Sequence, residues 1–85
     1  MSSSTISVGS AVGLHARPAA LIAAAVTEAG VPVTLTMNGG VPVDAGSALM
    51  IMTLGAKCGD DVIVTCDDDA VLRKVVDLVA ADLDA

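Results

Sequence analysis

The sequence predicts an α+β fold, a single two-layer domain with a sheet on one side and helices on the other. Three observations carry this expectation. Apolar residues alternate in short segments and recur at helical spacing in longer ones, in the order strand, helix, strand, strand, helix, strand, helix. Between the second and third strands stands Asn38-Gly39-Gly40, a hairpin signal because Asn and Gly supply positive φ. The length, 85 residues, gives room for one domain over 1–85 with one small core.

Each element has a local reason. Thr5-Ile6-Ser7-Val8 alternates polar and apolar, as a half-buried strand does, after a serine-rich start. Gly9 to Gly13 read as a loop, and Ala16 to Ala29 as the first helix, stopped by Gly30. That helix is apolar nearly all round, with Arg17, Thr27 and Glu28 its clear polar positions. A domain this small buries one side of such a helix, so part of the remainder is expected to be a docking surface. Val31 to Met37 read as the second strand, with Val31, Val33, Leu35 and Met37 on one face. Val41-Pro42-Val43 is a short third strand, confined by Pro42 to an edge or a bulge. Ser47 opens a short second helix to Leu54, stopped by Gly55. Asp61 to Cys66 form the fourth strand, with Val62 and Val64 on one face and Ile63 on the other. Asp67-Asp68-Asp69 place acid at the start of the last helix, where the macrodipole favours it. That helix carries Leu72, Val75, Val76, Val79 and Leu83 at helical spacing. The aspartate run lacks the alternating ligands and distal glutamate of a calcium loop.

Composition excludes several functions. There is no Phe, Trp or Tyr, so the platform for stacking single-stranded bases is missing. A net charge of −6 disfavours duplex nucleic acid and anionic membranes alike. The longest uninterrupted apolar run, Pro18 to Val26, is too short to span a bilayer. Met1-Ser2-Ser3-Ser4 carries neither the basic nor the apolar part of a secretory signal. Cys58 and Cys66 flank a strand whose rise holds them roughly 20 Å apart, whereas a disulfide needs about 4.4–6.8 Å. Reduced thiols in a cytoplasmic protein are the expectation.

The chemistry concentrates in Gly13-Leu14-His15-Ala16-Arg17-Pro18-Ala19-Ala20, which holds the only histidine. A lone histidine is ordinarily a surface residue without a task, and a zinc site would need more ligands. Its neighbours shift the reading. A helix start presents free N–H groups and partial positive charge, a cradle for an anion. Arg17 is the only Lys or Arg before Lys57, and it falls in the first helical turn, against the dipole. A cation placed against local preference points to a bound anion. Pro18 fits the first turn, where a missing N–H costs little.

The string Gly-Leu-His-Ala-Arg-Pro-Ala resembles the active-site signature of the HPr family, the histidine-containing phosphocarriers of the bacterial phosphoenolpyruvate-dependent sugar phosphotransferase system. The length, the element order and the segment Ser47 to Gly55 are similar as well, and the resemblance runs from about Thr5 to Leu83. It implies an open-faced sandwich with an antiparallel four-stranded sheet in the order 1-4-2-3 and three helices on one face. Sequence pattern alone leaves a ferredoxin-like order open.

The resemblance further implies that Nδ1 of His15 accepts a phosphoryl group from phospho-enzyme I and hands it to sugar-specific enzyme IIA components. The Ala16 and Arg17 amides and the Arg17 guanidinium would hold the phosphoryl oxygens. Phosphoryl transfer rests on positioning and charge stabilisation, so neither a cofactor nor a nearby general base is expected. The chain is then a carrier rather than an independent enzyme, with Mg²⁺ and the original phosphate donor supplied by partners. Ser47 aligns with the serine that a dedicated kinase phosphorylates in some members, and it equally suits a helix N-cap. Gly46 stands where regulated members often carry a basic residue, and the preceding loop has one extra residue.

Partner contacts are expected at Ala20, Leu21, Ala48, Leu49 and Met52. For Met52 the sequence leaves core and surface readings open. Only Lys57 lies close to this ring in sequence, so docking is expected to be largely apolar and weakly salt-dependent. A monomer is the simplest state for a carrier that meets several partners. Two alternatives stand beside this reading. One is an HPr-like carrier in a dihydroxyacetone-kinase or nitrogen-related phosphorelay; the other is a non-catalytic interaction module on the same fold.

Overall fold

The computed structural model describes residues 2–37 and 39–81. Asn38 of the expected hairpin turn and Leu83 of the last helix lie outside the described residues. Strand β1 spans Ser2–Ser7, helix α1 Ala16–Ala29, β2 Val33–Met37, β3 Val43–Asp44, α2 Ala48–Thr53, β4 Asp61–Cys66 and α3 Asp69–Ala80. The sheet runs β1-β4-β2-β3 with every neighbouring pair antiparallel, so the 1-4-2-3 order is present and the ferredoxin-like alternative falls away.

Register decides which residues face the helices. Val64 stands opposite Ser4 on one side and Leu35 on the other, and Leu35 stands opposite Val43. Val62 likewise aligns Ile6 with Met37, and Cys66 aligns Ser2 with Val33. Because side chains alternate along a strand, these residues share one face. Val33, Leu35, Val43, Val62, Val64 and Cys66 on it are buried. The opposite face carries Ser3, Thr5, Ser7, Thr34, Thr36, Asp61 and Thr65, with Ile63 its one large apolar residue. Here Ser7 Oγ donates to Asp61 Oδ1 at 2.9 Å, and the Ser3 and Thr65 hydroxyls meet at 3.3 Å.

The three helices close the apolar face. From α1 come Pro18, Ala19, Ile22, Ala23 and Val26, from α2 Ile51, and from α3 Val75 and Val79. The core has no aromatic ring in it; its largest fully buried side chains are Ile22, Leu35 and Ile51. Each such aliphatic side chain contributes about 1.5–3 kcal/mol on burial. Gly30, at φ 73°, closes α1 through its amide to the Val26 carbonyl. Asp68 caps α3, its carboxylate accepting from the Ala70 and Val71 amides at 3.0 and 3.2 Å.

Several expected boundaries move. The first strand begins at Ser2 and ends at Ser7, so the serine-rich start belongs to it and Val8 does not. Pairing of Ser2–Ser4 with Val64–Cys66 overrides the poor strand preference of serine. Val8 lies just past the regular ladder and bonds to the turn before β4, its amide to the Asp60 carbonyl and its carbonyl to the Gly59 amide. The second strand starts at Val33, not Val31, because Pro32 carries no amide for a ladder. The third keeps only Val43 and Asp44; Val41 is exposed and Pro42 lies outside it. Helix α2 is shorter by one residue at each end, since Ser47 is its N-cap and Leu54 its C-cap.

Candidate functional site

The segment from Val8 to Leu14 is fixed at three points before it delivers His15. Val8 pairs with the β4 side through its amide to Asp60 and its carbonyl to Gly59, and Gly9 donates to Val79 of α3 at 3.0 Å. Leu14 is buried, and its amide donates to the Ala56 carbonyl at 3.0 Å. Gly13 makes this approach feasible. Its φ is +76°, and a Cβ there would strike the Ala56 carbonyl oxygen and stand 3.0 Å from the Lys57 Cα. A turn closes the loop, with the Gly13 amide on the Ser10 carbonyl at 2.9 Å. Ser10 is buried within it, and its hydroxyl has no hydrogen-bond partner among the described residues.

His15 follows at the N-cap of α1 in extended conformation, φ −83° and ψ −166°. Its carbonyl accepts the Ala19 amide, but its ring makes no capping bond. The side chain is exposed, and so are Ala16 and Arg17 beside it. Neither the ring nor the Arg17 guanidinium has a hydrogen-bond or ion-pair partner among the described residues. The amides of Ala16 and Arg17 precede the first helical bond and have no partner among the described residues, while Pro18 has no N–H to leave unpaired. An imidazole, two such amides at a helix's positive end and a planar cation therefore fall within three consecutive residues.

Beside His15 lies a depression lined by Val12, Leu14, Met52, Gly55, Ala56 and Lys57. Large apolar side chains are exposed on the elements that flank it: Val12 on the loop is 50 % exposed, Leu21 on α1 42 %, and Leu49 and Met50 on α2 70 % and 41 %, while Val41, 80 % exposed, lies beside β3. Of the residues expected to meet partners, Ala20, Leu21 and Leu49 are exposed. Ala48 and Met52 are half-buried against the core, and Met52 also lines the depression, so both readings of it hold in part. Lys57, the cation that lies near this ring in sequence, lines the depression, as does Val12; Val12 and Met50 are not among the contacts the sequence points to. For Met50 no signal was available, because α2 has fewer than two turns and its periodicity cannot be phased. Val12 and Lys57 are brought in by the Leu14–Ala56 bond, a tertiary contact.

Ser47 is half-buried, and its Oγ accepts the Met50 amide at 3.3 Å. Cys58 is exposed and Cys66 buried, both as free thiols. No helix among the described residues is long and apolar enough to cross a membrane.

Comparison with known proteins places this arrangement. The family model described as PTS HPr component phosphorylation site matches residues 2–81. The chain belongs to the PTS-HPr family. The phosphocarrier protein HPr of Streptomyces coelicolor is 40 % identical over 87 residues, covering 99 % of this chain and 94 % of that protein. Among solved structures, HPr-C-His from Thermoanaerobacter tengcongensis superposes with a TM-score of 0.87 at 28 % identity, covering 100 % of this chain and 98 % of the other. A phosphocarrier protein HPr from Bacillus anthracis gives a TM-score of 0.84 at 25 % identity, covering 92 % of this chain and 95 % of the other. The four-stranded order and the open sheet are those of these HPr structures.

Proposed function

We propose that the chain carries a phosphoryl group on Nδ1 of His15, taking it from phospho-enzyme I and giving it to sugar-specific enzyme IIA components in the cytoplasm. The observation that carries this reading is the exposed, unbonded His15 ring beside the free amides of Ala16 and Arg17. In the transfer, the Nδ1 lone pair forms a bond to phosphorus while the donor's P–N bond breaks and its electron pair returns to the donor imidazole. The two rings exchange roles, so the step needs no net proton transfer. What this chain supplies is alignment and compensation of the oxygen charge, the larger part of catalysis in phosphoryl transfer. The Ala16 and Arg17 amides and the Arg17 guanidinium would receive the three oxygens.

Docking in this reading uses the apolar surface around the ring: Ala20 and Leu21 from α1, Ala48, Leu49 and Met52 from α2, with Val12 and Met50 added. Methionine adapts to differently shaped partners, which suits a protein that must serve donor and acceptors in turn. Ser47 caps α2 and is the candidate regulatory position. A phosphate there would rest at a helix start while bringing about two negative charges beside Leu49 and Met50.

The test is labelling with radioactive phosphoenolpyruvate, Mg²⁺ and purified enzyme I. The wild-type chain is expected to take up one acid-labile, base-stable phosphate, and His15→Ala none. Label retained by the folded variant overturns the assignment. Discharge of the labelled chain by a set of IIA proteins, compared with acceptors of the other phosphorelays, separates the pathways.

A further inference from the structure

We propose that Lys57 is a second cation of the His15 site, its ammonium reaching the phosphoryl group held by Arg17 and the first amides of α1. The inference rests on the carrier reading above. Lys57 and His15 line the same depression. The backbone that bears Lys57 is fixed there. Its amide donates to Asp60 Oδ2 at 2.9 Å, its carbonyl accepts the Asp60 amide at 2.9 Å, and its neighbour Ala56 holds Leu14. Its Cα lies 3.0 Å from where a Cβ on Gly13 would stand, two residues before the histidine.

The ammonium is available. Lys57 is exposed and has no ion pair among the described residues. Of the nearby carboxylates, Asp60 accepts the Lys57 amide and Asp61 the Ser7 hydroxyl, and neither forms an ion pair with the ammonium among the described residues. Three donors therefore remain free for phosphoryl oxygens. Demand for a cation is also plain. The chain has four Lys and Arg against ten Asp and Glu, and a phosphoryl group adds roughly two more negative charges. Arg73 and Lys74 lie on α3, where Arg73 lines a different depression with Ser3, Ser4 and Asp69. Lys57 is the remaining cation beside Arg17. The apolar lining from Val12, Leu14 and Met52 strengthens its field at the ring relative to open water.

The experiment exploits a convenience of this sequence: Lys57 and Lys74 are the only lysines. Protein with isotope-labelled lysine is phosphorylated chemically with phosphoramidate, whose P–N bond breaks as the histidine–phosphorus bond forms and ammonia leaves. The side-chain ammonium resonances are then followed by NMR. Formation of phosphohistidine is expected to shift the Lys57 signal and leave Lys74 in place. Phosphohistidine with an unmoved Lys57 signal, or with equal movement of both lysines, overturns the inference and leaves the carrier reading intact. Failure to form phosphohistidine with either phosphoramidate or enzyme I overturns the carrier reading itself. In parallel, Lys57→Gln is expected to slow uptake from phospho-enzyme I about two- to fivefold, the range of a single solvent-exposed charge pair. That difference should vanish in about 1 M KCl, where screening acts within about 3 Å. An unchanged rate at low salt also overturns the proposal, and Lys57→Arg should restore the wild-type rate.

Discussion

The carbonyl oxygen of Ala56 accepts a hydrogen bond from the amide of Leu14 at 3.0 Å, one residue before His15. This bond joins the histidine loop to the chain that leaves α2. It brings His15, Met52 of α2 and Lys57 to one depression, although Leu14 and Ala56 are 42 positions apart in sequence. The proposed docking on α2 and the proposed chemistry at His15 thus share a frame.

Gly13 is what lets that frame close, and Gly13→Ala tests it. The substitution must carry a methyl at φ +76° into the Ala56 carbonyl. A cost of at least about 1–2 kcal/mol in folding stability is expected. Phosphorylation of His15 should slow as well, because the displaced loop no longer aims the ring. Urea unfolding followed by far-ultraviolet circular dichroism, alongside labelling rates, reads both. Wild-type stability would show that the close approach is dispensable.

Arg17→Ala should separate chemistry from folding. The side chain is exposed and makes no contact that holds the core. Stability is expected to stay within about 0.5 kcal/mol of wild type. Transfer from phospho-enzyme I is expected to fall between about ten- and a thousandfold, as when a charge-stabilising group is removed. A variant that transfers at the wild-type rate would remove Arg17 from the site.

Ser10→Ala addresses the buried hydroxyl beneath the loop. Ser10 is 1 % exposed, and its Oγ has no partner among the described residues. Removing a buried hydroxyl that lacks a partner should leave stability unchanged or raise it by up to about 1 kcal/mol. The urea midpoint measures this. A loss of more than about 1 kcal/mol would mean that the hydroxyl makes a bond in solution.

The elements legible in the sequence were those with long or unambiguous periodicity. Helix α1 and strand β4 fall where alternation and glycine stops put them, and α3 begins at its aspartate cap. Serine gives no apolar alternation, so only the pairing partners on β4 reveal that the first strand begins at Ser2. The third strand lies later than the sequence suggests, because Val41 resembles a strand residue locally, yet no partner pairs with it among the described residues. At the site, the linear neighbours Ala16 and Arg17 could be placed from the helix start alone. Val12 could not, and Lys57 could be tied to the α2 ring but not to His15 itself, since the contact that brings its segment to the loop is a single backbone hydrogen bond with no side-chain signature. Met50 was hidden by the brevity of its helix.

A chain without Phe, Tyr or Trp is optically near-silent in the near ultraviolet. Any tryptophan emission in a mixture then originates in whichever protein is docked against it. Encounters with a donor or an acceptor can be timed from the visitor's own fluorescence, with no dye attached to the courier.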